Sequence, residues 1–191
     1  MKAYYLLITL LLGMAFACSQ EKKEEEKEFK HTPEMSQRLE ESHQEWLREH
    51  SRWVEEHRKY EELFQRLRNS YLETANPPAA SFDSLSRALQ KTIEEHAQLL
   101  SDHVVRLDAH GETVLRHKKK EVDDAYAQKK EEKFKKQHQD LLKRHDEMLK
   151  HYEEQLQRLT EMIKEAGGTP PSMEEIDREL QGQAVPSDST P

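Results

Sequence analysis

A seven-residue beat carried by histidine constrains this chain more than any other feature. HQEWLREHSRWVEEH sets His43, His50 and His57 one heptad apart. EEHAQLLSDHVVRLDAHGETVLRH repeats the beat with His96, His103, His110 and His117, and KKQHQDLLKRHDEML adds His138 and His145. Such spacing returns every member to one face of an α-helix, the face where a coiled coil normally carries Leu or Ile. In the first segment, heptad position a holds His43, His50, His57, Phe64 and Tyr71, and position d holds Leu39, Trp46, Trp53, Tyr60 and Leu67. In the second, the histidines share d with Phe82 and Leu89, while a holds Ile93, Leu100, Leu107 and Val114. Antiparallel helices set a against d, so the two assignments fit one another.

Composition separates ordered helices from disorder. Only 34% of the 191 residues are hydrophobic, 36% are charged, and mean hydropathy is −1.07, too polar for a large globular core. A disordered chain has no reason to keep a helical period, so the expectation is an all-α fold. The formal charge of −8 argues against general nucleic-acid binding. HKKKEVDDAYAQKKEEKFKK is locally basic and reads as a solvated helix face, with an anionic surface as the other possible use.

Punctuation divides the chain. Thr32-Pro33-Glu34 is an N-cap, a first-turn proline and an acid facing the helix dipole, and Asn76-Pro77-Pro78 stops the helix after about Thr74. Ser81 with Asp83 is the next expected cap. No proline follows until Pro170, and Gly111 is the only weak point, which favours an antiparallel hairpin whose second helix runs from Phe82 to residue 166. That helix of about 85 residues would reach roughly 125 Å. The alternative is a second fold-back near 121–127, giving an up-down-up three-helix bundle. Gly167-Gly168 ends the helical region, Ser172 with Glu175 forms a capping box, and GQAVPSDSTP is an expected disordered tail. The division is thus 1–17, 18–31, 32–166 and 167–191.

Folding at the proline turn pairs His43 with His110, His50 with His103 and His57 with His96. Leu39–Val114, Trp46–Leu107, Trp53–Leu100 and Tyr60–Ile93 fall between them, and Phe64–Leu89 and Tyr71–Phe82 close the seam. A shift by one heptad keeps the a–d logic but sits further from the centre of the loop. Leu141, Leu142, Met148, Leu149, Leu156, Leu159, Met162 and Ile163 make a further stripe within 138–163. It needs a partner, either helix 1 after a fold-back or the same segment of a second chain.

His43, His50, His57, His96, His103 and His110 are the candidate metal ligands, with Zn or Cu as the ion. Heptad neighbours on one helix lie about 10.5 Å apart, whereas Zn–N bonds are about 2.0–2.1 Å. A site therefore needs imidazoles from facing helices in one layer, with a third ligand from a carboxylate such as Asp102, a third helix or water. The competing expectation needs no cofactor: facing neutral imidazoles form polar layers that fix register. His31 in the tether and His151 off the beat are expected to be surface residues. No nucleophile elbow, phosphate-binding glycine loop or catalytic Cys/His pattern occurs, so no enzyme is expected.

MKAYYLLITLLLGMAFACSQ opens with Lys2, an apolar run from Ala3 to about Phe16, and then the single cysteine, Cys18. The run is short for a bilayer span and has the form of a secretory signal. Ala15-Phe16-Ala17-Cys18 resembles the lipobox of bacterial lipoproteins, although Ala15 stands where Leu is usual and Phe16 is bulky for its place. The resemblance covers the first twenty residues. It implies that Cys18 is lipidated, becomes the mature N-terminus and anchors the chain in membrane lipid. Ser19 resembles the residue that favours the outer membrane, and EKKEEEKE resembles the export tag of surface-exposed lipoproteins. The expected role is a lipid-anchored helical spacer or interaction protein of the bacterial envelope. Its partners would be a second copy or another envelope protein, met through 138–163. The alternative is a metal-binding or metal- and pH-sensing lipoprotein.

Overall fold

A computed structural model of the chain describes residues 29–75, 79–175 and 178. The expectations for the leader, Cys18, residues 76–78 and the C-terminal tail lie outside the described residues. Met1–Lys30 and His31–Pro191 are separate units, and the described helices lie in the second.

Among the described residues the fold is all-α and holds three long helices: α1 (Pro33–Thr74), α2 (Ala80–Lys118) and α3 (Asp124–Glu165). They run up, down and up, each packed against both others. The start of α1 follows its sequence signal, for the Thr32 hydroxyl accepts from the Met35 amide at 3.3 Å and Pro33 opens the first turn. Ser81 is not the next cap. That position falls to Ala79, whose own N–H donates to the Tyr71 hydroxyl at 3.2 Å, and α2 begins one residue before Ser81.

The second helix does not continue to 166; it ends at Lys118, and the chain folds back to give the three-helix arrangement. The Lys120 amide donates to the His117 carbonyl and the Glu121 amide to the Arg116 carbonyl, each at 2.9 Å. This is a Schellman ending, with Lys120 at φ 59° in the left-handed position that glycine normally takes. Val122 is buried beyond it, and Asp123 caps α3 by accepting from the Tyr126 amide at 2.8 Å. No glycine, asparagine or proline marks this turn. At the far end Gly167 does take the left-handed position, with φ 84°, and Gly168 donates to the Ile163 carbonyl. Ser172 and Glu175 then cap one another reciprocally at 2.8 and 3.3 Å.

The core alternates along the bundle. Met35, Leu39, Val114 and Ala127 form one apolar cluster, Trp46, Leu107 and Phe134 a second, and Trp53, Leu99 and Leu141 a third. A longer cluster around Leu67, Tyr71, Phe82, Leu89, Tyr152 and Ile163 fills the end near the α1–α2 turn. The expected register of α1 against α2 holds, with Tyr71 stacked on Phe82 at 4.1 Å. The 138–163 stripe is covered within the chain: Leu141, Leu156, Leu159 and Ile163 are buried. Helix α3 is folded back against α1 and α2, so the stripe no longer calls for a second copy.

Candidate functional site

The three expected histidine pairs all form across the α1–α2 seam. Nδ1 of His43 faces Nδ1 of His110 at 3.3 Å, and the same atoms meet at 3.4 Å for His50–His103 and 3.2 Å for His57–His96. His96, His103 and His110 are at most 1% exposed, whereas their α1 partners are half-buried. The asymmetry follows from the third helix, which covers the α2 side of the seam.

Helix α3 completes every layer, because Asp124, Glu131, His138 and His145 follow the same heptad. His110 Nε2 lies 2.6 Å from Glu131. His103 Nε2 lies 3.2 Å from His138 Nδ1, and His138 Nε2 lies 2.5 Å from Glu49. A carboxylate can only accept, so Glu49 takes the His138 Nε2–H. His138 Nδ1 then accepts from His103 Nε2–H, which leaves His103 Nδ1 as the acceptor facing His50. At the top of the bundle His117 lies 2.9 Å from both Ser36 Oγ and Asp124. His31 is not a plain surface residue: its ring stacks on His117 at 4.2 Å, and its Nε2 reaches the His117 carbonyl. His151 is exposed, as expected.

Indole rings separate the layers. Trp46 packs on His110 and His138 at centroid distances of 4.4 and 4.5 Å, and Trp53 on His103 and His145 at 4.5 and 4.2 Å. Each of these imidazoles thereby sits against an apolar aromatic face, His138 and His145 stacked and His103 and His110 tilted.

Burial disfavours the charged imidazole, and facing imidazoles add to the effect. Burial first, then His145 and His57, lower His96 to about 3. Burial and then His138 and His50 lower His103 to about 3, and burial lowers His145 to about 4. His43, His50, His57 and His138 are lowered in the same direction, again chiefly by burial. Burial pushes Glu131 up, but hydrogen bonds from His110 and Ser42 outweigh it and leave its carboxyl below the usual range.

All six sequence-nominated ligands thus lie in three consecutive layers. In the upper layers, however, the central imidazole uses opposite nitrogens for its two neighbours, so the rings form strings rather than a chelate. Among the described residues no three His, Cys, Asp or Glu side chains already stand in coordinating positions. Asp102 does not join a layer: its oxygens face Gln98 at 3.0 Å and Arg144 at 3.9 Å. Glu49, Glu56, Glu131 and Asp124 were missed, although Glu49 and Glu56 precede His50 and His57 on the same beat. Glu131 and Asp124 extend the line of His138 and His145 backward by heptads, a signal that was present in the spacing.

The lowest layer differs from the others. His145 Nε2 and Glu56 Oε2 are 3.4 Å apart without forming a hydrogen bond, and His96 Nε2 also has no partner. Compared with known proteins, the chain matches no protein family, no curated protein and no solved structure.

Proposed function

We propose that this chain is a lipid-anchored, non-enzymatic helical bundle of the bacterial cell envelope, held at the outer membrane through Cys18 and serving as a spacer or docking element. Cys18, placed directly after a short apolar leader and before a charged tether, is the observation that carries this reading. The three mutually packed helices support it, since a bundle of this kind keeps its surface in one arrangement. Among the described residues no helix is long and apolar enough to cross a membrane. The acidic total charge disfavours nucleic acid as a partner, and another envelope protein is the partner class in this reading.

Labelling cells with a fatty-acid analogue and fractionating them tests the proposal. The expected result is a labelled chain in the outer-membrane fraction, with Cys18→Ser unlabelled and released from it. An unlabelled wild-type chain would refute the anchoring.

A second reading, a metal-responsive lipoprotein using Zn or Cu, is favoured by the imidazole pairs at 3.2–3.4 Å. Two nitrogens bound to one tetrahedral Zn²⁺ lie about 3.3 Å apart, as follows from bonds of about 2.0–2.1 Å.

A further inference from the structure

We propose that Glu56, His96 and His145, one residue from each helix, bind a single divalent transition-metal ion, with Zn²⁺ the best match. Glu56 Oε2 and the two Nε2 atoms are the ligands. The inference deepens the metal reading of the histidine layers and stands apart from the question of anchoring.

Three unpartnered atoms carry it. Glu56 Oε2, His96 Nε2 and His145 Nε2 are all buried, and none has a hydrogen-bond partner. Buried polar atoms are nearly always satisfied, so three orphans in one layer call for a ligand. The layer one heptad above is an internal comparison, because Glu49, His103 and His138 occupy the equivalent positions. There the string closes, with contacts of 3.2 and 2.5 Å. In the lower layer the same residue types leave their donor atoms open. Glu56 Oε2 and His145 Nε2, 3.4 Å apart, are at the separation of two ligands on one tetrahedral ion. An ion must still draw His96 Nε2 in, since the three atoms do not yet enclose a point.

The surroundings match such an ion. His96 turns its Nδ1 to His57 Nδ1 at 3.2 Å, and an Nδ1–H donated there leaves Nε2 with a bare lone pair. Burial keeps both imidazoles neutral, the form that ligates. Arg52 faces the other oxygen of Glu56 at 3.8 Å, and Trp53 stacks on His145 at 4.2 Å, so both side chains are oriented. The Glu56 side chain is 30% exposed, which gives an entry path and room for water in the remaining position. Two nitrogens and a carboxylate suit Zn²⁺ and its neighbours in the transition series.

The test uses the full chain in detergent, stripped with a chelator and titrated with Zn²⁺ by calorimetry and with Co²⁺ by visible absorption. The expected result is one ion per chain and the ligand-field bands of low-coordinate Co²⁺. Glu56→Gln should weaken binding by about 100-fold or more, beyond what loss of an outer-shell partner does. Its side chain is the most exposed of the three ligands, which makes this variant the one least able to disturb folding, and circular dichroism checks that. Histidine ring ¹⁵N spectra should show Zn²⁺ moving the Nε2 signals of two rings, lost in His96→Asn and His145→Asn. His151→Asn, at an exposed position off the heptad line, should bind as the wild type does. A folded chain without Co²⁺ bands overturns the proposal, as does binding abolished by His103→Asn and kept by Glu56→Gln. A chain found off the membrane would leave this titration unchanged, so the two proposals fail separately.

Discussion

The imidazole of His43 lies against Gly111, with its Cε1 3.1 Å from where a Cβ on that glycine would stand. Glycine inside a helix costs about 0.5–1 kcal/mol against alanine, and here that cost makes room for a ring of the seam. Gly111→Ala should therefore gain less than this range in the wild-type chain. In a His43→Ala background the full gain should appear. A double-mutant cycle by urea unfolding measures the difference, and equal gains in both backgrounds would show that the contact has no energetic weight.

Acid should destabilise the metal-free bundle. The ordinary histidine value is 6.5, and His96 and His103 are held near 3 and His145 near 4 in the folded chain. The unfolded chain takes the proton first as pH falls, so this stability is complete above about 6.5 and is lost below it. His103 faces His50, His138, Arg106 and His145, all of which oppose its protonation. At about pH 5 each of the three histidines should cost about 2 kcal/mol, taking 1.36 kcal/mol per pH unit. The expected outcome is a fall in Tm between about pH 7 and pH 5, shallower in His103→Asn. A melt that is flat over this range would contradict neutral burial.

Lys120 holds a left-handed backbone conformation, φ 59°, that costs an L-residue roughly 1–2 kcal/mol. Its carbonyl-satisfying turn needs that conformation, not the side chain, which is exposed. Lys120→Gly should raise stability by about 1 kcal/mol, read as an increase in Tm. A loss of stability would mean that the α2–α3 turn is not the Schellman ending described.

Trp53 is 1% exposed and covers both His103 and His145. Trp53→Ala should cost about 3–5 kcal/mol in denaturant unfolding, the range for removing a large buried ring. Leu47→Ala, elsewhere on the same helix at a 36% exposed position, should cost far less. Equal costs would argue that the indole lies at the surface.

The α1–α2 half of the bundle was legible in the sequence because period and punctuation agreed there. Heptad histidines, the Thr32-Pro33 start and the proline stop left two registers in which a met d, and the one nearer the loop centre gave the pairs His43–His110, His50–His103 and His57–His96. The second fold-back was legible only as the alternative near 121–127, not as the favoured reading. Its signal is a lysine in a conformation that most L-residues avoid, and residue identity does not announce that. Whether an imidazole faces a ring, a carboxylate or nothing was settled only when α3 packed against the seam. His138 and His145 share one heptad line, yet Glu49 closes the string at one and Glu56 leaves it open at the other. Periodicity fixes which face a side chain occupies; the partner across that face is set by sub-ångström packing of three helices, which no spacing in one chain encodes.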